Sequence, residues 1–252
     1  MQAETSRPTV SVVCPVFNER ENLPELYEQL RTALDATALP WEILFVDDGS
    51  TDGSGETIQQ LHGADSRVRG ILLSRNFGHE AAATAGIELA EGDAVILMDA
   101  DLQDPPSLVP ALVEKWREGY DIVCAQRTAR HEESAFKRAS AYLFYRIMTV
   151  LVGWNLPADT GNFRLMNRAA VEAFRSCPER NRFVRALVAW TGFRQTTVPF
   201  ERPPRQAGKS KYRTWQMVAL ALTSVTSFSV APLRIATAIG LLVVPFATLT
   251  VL

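Results

Sequence analysis

Cysteine is scarce in this chain of 252 residues: Cys14, Cys124 and Cys177 stand far apart, odd in number and without any CxxC spacing. That pattern excludes a disulfide framework or a zinc ribbon, and the three read as small buried hydrophobes of a reducing compartment. A surplus of positive charge is also missing. The formal net charge of −2 argues against a dedicated nucleic-acid binder. Two phosphate-cradling loops are absent: no GxGxxG follows the first apolar run, which disfavours a dinucleotide cofactor, and no GxxxxGK[ST] occurs. Met1 to Pro8 is polar and has no apolar centre, so no secretory signal peptide is expected there. Internal repeats and low-complexity segments are absent as well.

What is present is enough chain for one α/β domain plus an appendage. Val10–Cys14, Trp41–Val46, Val68–Leu73, Ala94–Met98 and Asp121–Ala125 are short apolar runs rich in β-branched residues. Continuous runs of this kind fit strands buried on both faces of a largely parallel sheet. Helical patterns lie between them, including Asn22–Ala36 and Pro105–Arg117. Asn22 is expected to cap the first, with Pro24 in its first turn; Asp104 is expected to cap the second, with Pro105 at its first position. The β-α-β-α order predicts an open sheet with helices on both faces and ligands beyond the carboxyl ends of the strands. Phe136–Val152 reads as an amphipathic helix, Phe163–Asn167 as a strand and Arg168–Arg175 as a helix.

The tail differs in kind. Arg194 to Arg213 holds six basic residues and one acid, Glu201, just before a long uncharged stretch. Basic residues beside apolar sequence suit an anionic membrane surface or a phosphorylated ligand, the plain alternative being a solvated basic loop. Thr214–Leu233 has no charged residue, and its polar Gln216, Thr223, Ser224 and Ser227 share a helical face, as in a helix lying in the membrane interface. Ile235–Leu252 is nearly all apolar; as a helix it would rise roughly 27 Å, close to the ~30 Å hydrocarbon core. It reads as a membrane span, against a buried soluble helix, and the basic residues before it predict a cytoplasmic catalytic part.

Three strand ends carry the chemistry. Ile96-Leu-Met-Asp99-Ala-Asp101-Leu-Gln103-Asp104 runs from an apolar strand into two carboxylates one residue apart. As the chain leaves the strand the pair can converge, and two hard oxygen donors with room for water and phosphate suit Mg²⁺ or Mn²⁺. A DxD arises by chance in many turns, so its place at a strand end is what gives it weight. A haloacid-dehalogenase-type phosphatase also uses DxD after a strand, but expects a small Gly-Thr-like turn where Leu102-Gln103 stands. The first strand ends in Pro15-Val-Phe17-Asn18-Glu19, the second in Asp47-Asp48-Gly49-Ser50-Thr51-Asp52. Acids there can accept hydrogen bonds from base N–H groups or ribose hydroxyls. For Ser50 and Asp52 a turn or capping role is the simpler reading, with Gly49 supplying a positive-φ turn.

These motifs, followed by Thr160-Gly-Asn-Phe-Arg164-Leu-Met and Gly208-Lys209-Ser210-Lys211-Tyr212, resemble in content and order the inverting family-2 glycosyltransferases, and most closely the polyprenyl-phosphate type. Bactoprenol glucosyltransferases and dolichyl-phosphate mannose synthases are of this type, and the resemblance spans roughly Thr9 to Leu252. It implies a GT-A fold, a Rossmann-like, mostly parallel sheet with helices on both faces. It implies a catalytic domain over 1–212, an interfacial helix over 213–233 and a transmembrane segment over 234–252. Relatives usually carry two transmembrane helices, so either the chain is shortened after its first span or it departs from the pattern.

The resemblance sets Pro15, Phe17, Glu19, Asp48 and Asp99 around the nucleotide, and Asp99, Asp101 and Gln103 around the metal and diphosphate. Arg127, Arg138, Arg164, Arg205, Lys209, Ser210 and Lys211 become the phosphate-binding group. Asp159 falls where relatives place a carboxylate near the acceptor, as base or orienting group. The implied reaction moves a hexose, glucose in preference to mannose, from UDP-glucose or GDP-mannose to undecaprenyl or another polyprenyl phosphate, in a homo-oligomer on the membrane. A polysaccharide-building transferase is disfavoured by the lack of a QxxRW-like motif, and a non-catalytic nucleotide-sugar-binding module by the intact acids at all three strand ends.

Overall fold

The structure, a computed structural model, describes residues 9–128, 160–179 and 182–201, with Thr237, Gly240, Leu241 and Val243. Seven strands form one sheet: β1 (Val10–Val16), β2 (Trp41–Asp47), β3 (Val68–Leu72), β4 (Ala94–Leu97), β5 (Ile122–Arg127), β6 (Thr160–Asn167) and β7 (Gln195–Phe200), in the order β3-β2-β1-β4-β6-β5-β7. β1 pairs in parallel with β2 and β4, β2 with β3, and β5 with β7. Among the described strands β6 alone runs against its neighbours, β4 and β5. Every residue of β1 and β2 is buried, as strands covered on both faces require.

The helices whose bounds fall among the described residues are α1 (Leu23–Asp35), α2 (Ser54–Ala64), α3 (His79–Leu89), α4 (Val109–Arg117), α5 (Arg168–Ser176) and α6 (Val184–Trp190). On one face Val10, Val12, Cys14, Ile43, Phe45 and Ile96 join a core with α1, α2 and α4. α1 offers Leu23, Leu26, Leu30 and Leu34 to it at helical spacing. Burying those four leucines contributes on the order of 6–12 kcal/mol before the entropy of ordering them. α3 takes the other face, laying Gly86 against Val13 and Val46. All three cysteines are buried and unpaired.

Two capping expectations are corrected. Asn22 stands at the N-cap of α1, but its side chain makes no capping bond; its Nδ2 donates instead to Glu19 Oε2 at 2.6 Å. The helix expected from Pro105 opens as a 3₁₀ turn over Pro106–Leu108, with Pro105 at its cap position and α4 following. Asp104 is buried beside the DxD turn instead, its Oδ2 3.5 Å from the backbone nitrogen of Asp99. A cap does form at Asn167, whose Oδ1 accepts the Ala170 N–H at 2.8 Å and starts α5.

Among the described residues no helix is long and apolar enough to cross a membrane. The expected helix 136–152, the interfacial segment 213–233 and all but four residues of the expected span lie outside the described residues.

Candidate active site

Parallel strands end on the same side, so the acids after β1, β2 and β4 meet at one edge of the sheet. Backbone bonds lock the first two ends together. Asp48 N–H donates to the Val16 carbonyl at 2.8 Å, Asn18 N–H to Ser50 Oγ at 2.9 Å, and Thr51 N–H to Asn18 Oδ1 at 2.9 Å. Asn18 adopts a left-handed φ of 55°, which a short amide side chain tolerates. Asp52 bridges the same region, accepting the Ser54 N–H and hydroxyl on Oδ1 and the Arg20 N–H on Oδ2. Gly49 has φ +69°, and a Cβ there would stand 2.5–2.7 Å from the backbone of Arg75 and Asn76. Only glycine lets the turn after β2 lie this close to the loop after β3.

Each residue expected around the nucleotide has a definite setting. Pro15 is buried inside β1, opposite Val46. Phe17 is 37% exposed just past the strand end. Glu19 accepts the Asn22 side-chain amide on its carboxylate and donates its own N–H to Ser54 Oγ at 3.1 Å. Asp48 is 3% exposed, and its two oxygens accept the N–H groups of Phe77 (2.7 Å) and Gly78 (2.9 Å). It therefore fixes the loop that leads into α3.

Beyond β4 the chain turns sharply. Leu102 has φ +59°, a left-handed conformation unusual for a γ-branched residue, and Asp101 Oδ1 accepts the Gln103 N–H at 3.1 Å. Asp99, Asp101 and Gln103 are all half-buried at this bend. The charges of Asp99 and Asp104 reinforce burial in keeping the Cys14 thiol protonated. Among the described residues no group of three or more His, Cys, Asp or Glu side chains is arranged to hold a metal. Two carboxylates and an amide nevertheless fit a hard cation of the Mg²⁺ class, which is ordinarily held by one or two carboxylates with substrate phosphates and water.

The sequence reading missed His79, the first residue of α3. Its Nε2 lies 2.9 Å from Asp99 Oδ1. Partial burial disfavours the charged ring, but the bond to Asp99 and the charges of Asp99, Glu80 and Asp48 outweigh it and raise the imidazole to about 9. Glu80, beside it, accepts the Val184 N–H at 2.9 Å and is shifted upward by burial. The available signal was a Gly-His pair at a helix start that follows a half-exposed strand, too short to stand out by spacing.

The basic residues divide. β6 runs antiparallel with Arg164 opposite Leu97, so Thr160 and Gly161 extend past the end of β4, towards the DxD turn. Arg127 ends β5, and its Nη2 would lie 3.1 Å from a Cβ on Gly161. Arg164 is only 2% exposed, and its guanidinium donates to the carbonyls of Gly161 (2.7 Å), Asn162 (3.3 Å) and Arg185 (3.4 Å). Contact with a phosphate would require it to give up those bonds. Arg138, Asp159, Arg205, Lys209, Ser210 and Lys211 lie outside the described residues.

The fold is that of a GT-A-type sugar transferase. It is similar to glucosyl-3-phosphoglycerate synthase from Mycobacterium tuberculosis, solved with Mn²⁺, UDP and phosphoglyceric acid (TM-score 0.63, 18% identity, 86% of this chain and 76% of that one). It is also similar to the mannosyltransferase PcManGT from Pyrobaculum calidifontis, solved with GDP-Man and Mn²⁺ (TM-score 0.58, 21% identity, 88% of this chain and 64% of that one). Residues 11–175 match the model of Glycosyl transferase family 2, and the chain belongs to that family. It is 44% identical, over 92% of its length and 72% of the relative's, to the uncharacterized glycosyltransferase YkcC of Bacillus subtilis strain 168. It is 41% identical, over 93% of its length and 76% of the relative's, to the bactoprenol glucosyl transferase of Shigella phage SfV.

Proposed function

We propose that this chain transfers glucose from UDP-glucose to a polyprenyl phosphate of the undecaprenyl type, with inversion at the anomeric carbon. The observation that carries this reading is the 41% identity to a bactoprenol glucosyl transferase across nearly the whole chain. The strand-end acids agree with it. Phe17, Glu19 and Asp99 border the base and ribose, while Asp48 sets the loop beneath them. Asp99, Asp101 and Gln103 would hold Mg²⁺ or Mn²⁺, and Mn²⁺ in the two solved structures of similar fold supports a divalent ion here. When bound, the cation offsets charge developing on the leaving diphosphate.

The acceptor needs little activation. A phosphate monoester has a second pKa near ~6 and is already anionic at neutral pH, so one of its oxygens attacks the anomeric carbon directly. Positioning and charge neutralisation then supply most of the rate. Arg127, at the carboxyl end of β5, is the described cation best set to meet a phosphate. β7 also ends on this side, its last carbonyl accepting the Thr128 N–H at 3.0 Å, and the basic segment 202–213 follows it in the sequence. Arg205, Lys209, Ser210 and Lys211 in that segment bind the lipid phosphate, Arg138 supplies a further cation, and Asp159 orients the acceptor. Residues 213–233 lie in the interface and 234–252 anchor the chain, with the catalytic part on the cytoplasmic side.

The test is transfer of radiolabelled sugar from UDP-glucose or GDP-mannose to undecaprenyl phosphate in membranes, with Mn²⁺, Mg²⁺ or EDTA. Labelled lipid from UDP-glucose that disappears with EDTA is the expected result. Label arriving only from GDP-mannose would reassign the donor. No lipid product from either donor, in a protein that binds UDP, would overturn the acceptor assignment.

A further inference from the structure

We propose that His79 is a positioning residue for Asp99: presented by the first turn of α3, its ring holds the Asp99 carboxylate in the orientation from which that group meets the nucleotide and its cation. The inference rests on the role given to Asp99 above. The direct observation is the 2.9 Å approach of His79 Nε2 to Asp99 Oδ1.

The ring is the fixed partner of the pair. The backbone N–H of Gly78, just before it, is held by Asp48. Glu80, just after it, holds the backbone of Val184. Further along α3, Gly86 lies against Val13 of β1 and Val46 of β2. At the far end Arg175 Nη2 donates to the carbonyls of Ile87, Glu88 and Ala90 at 2.8–2.9 Å, and Arg168 reaches those of Ala90 and Gly92. A helix pinned at both ends and along its length leaves the imidazole little freedom. Asp99 stands two residues beyond the end of β4, on a bend with a left-handed Leu102. In that setting the bend is the softer element, and the ring defines where its first carboxylate points. With the His79 and Asp99 side chains 31% and 29% exposed, the pair borders the open site and is not sealed in the core.

Groups that orient a metal-binding side chain typically change metal affinity by 10–100-fold when removed. The experiment uses the full chain, with UDP present and Mn²⁺ as the probe, read by loss of the free-ion electron paramagnetic resonance signal. H79F keeps a ring of similar size without the nitrogen and should weaken Mn²⁺ binding by about tenfold or more. H79Q returns a donor near the Nε2 position and should recover most of it. Both should melt close to wild type, which separates orientation from folding. Mn²⁺ binding by H79F equal to wild type would overturn the proposal. If wild type itself binds no Mn²⁺, the cation reading fails first, and the pair is judged by nitrogen NMR of the His79 ring. A ring Nε2 signal that shifts in D99N upholds the pair, and one that does not move overturns it.

Discussion

Replacing Gly86 with alanine sets two effects of known size against each other. Alanine is favoured over glycine inside a helix by about 1 kcal/mol, so propensity alone would make the variant more stable. The new Cβ, however, would stand 2.3 Å from Val13 Cγ1 and 3.0 Å from Val46 Cγ2. Val13 is fully buried in the middle of β1 and β-branched, so it cannot swing aside. Reaching ordinary contact requires α3 to retreat by about 1 Å, and overpacking of this kind costs ~1–3 kcal/mol. At 2.3 Å, far inside any real Cβ contact, the upper ~2–3 kcal/mol of that range applies, so after the propensity gain of about 1 kcal/mol the net loss is about 1–2 kcal/mol, or roughly 2–8 °C in melting temperature. The same retreat carries His79 away from Asp99 and stretches the 2.9 Å contact towards about 4 Å, where little hydrogen bond survives. G86A should thus melt earlier and bind Mn²⁺ with UDP more weakly, and G86V should do worse on both counts. Thermal melts and Mn²⁺ titrations of the full chain decide it. A G86A protein as stable as wild type would show that the helix is not seated as tightly as this packing requires.

Three further perturbations test other parts of the frame. R175A leaves the Ile87 and Glu88 carbonyls at the end of α3 without their cation, while that of Ala90 keeps Arg168, and should cost about 2–3 kcal/mol, seen as a lower urea midpoint at unchanged slope. R175K should recover only part, because an ammonium lacks the guanidinium fork. D48N keeps the shape but can accept only one of the two loop N–H bonds, so it should lose about 2 kcal/mol and weaken UDP binding, read by melting and nucleotide titration. Asp65 is held near 2, chiefly by the Arg67 guanidinium against the opposing effect of burial. Because the folded value lies below the unfolded one, its contribution is present above about pH 4 and is lost as pH falls towards 2. D65N should be about 1 kcal/mol less stable at pH 7, after allowance for solvent screening, with the gap to wild type closing by pH 2 in urea titrations.

The parts of this protein that were legible in its sequence are those that local pattern determines. β1, β2, β4 and β5 announce themselves because a strand covered on both faces must be apolar throughout, and acids that follow parallel strands must gather at one edge. β7 escaped because Gln195–Phe200 is half-exposed along most of its length and carries no continuous apolar run. α3 escaped for the opposite reason. His79–Leu89 is rich in alanine, buries small residues and shows little polar–apolar contrast, since it sits close on the sheet through Gly86. The reversed direction of β6 has no local signature at all.

The same division runs through the site. That Asp99, Asp101 and Asp48 follow strand ends could be read from the sequence alone, whereas the use made of each charge depends on what the fold brings near it. Arg164 belongs to a motif that suggested phosphate, yet its guanidinium is enclosed by three backbone carbonyls, and its burial suits a brace between β6 and the start of α6. His79 is the converse case, a residue with no motif of its own whose place is set by contacts far along the chain. The seat of Gly86 on β1 and β2 fixes the height of α3, and the Arg175 cage at its other end resists sliding along the axis. Together they bring one imidazole to within hydrogen-bonding distance of the DxD turn. Spacing in the sequence registers which groups follow a strand; it does not register the tilt and height of a helix, and those quantities decide what faces Asp99.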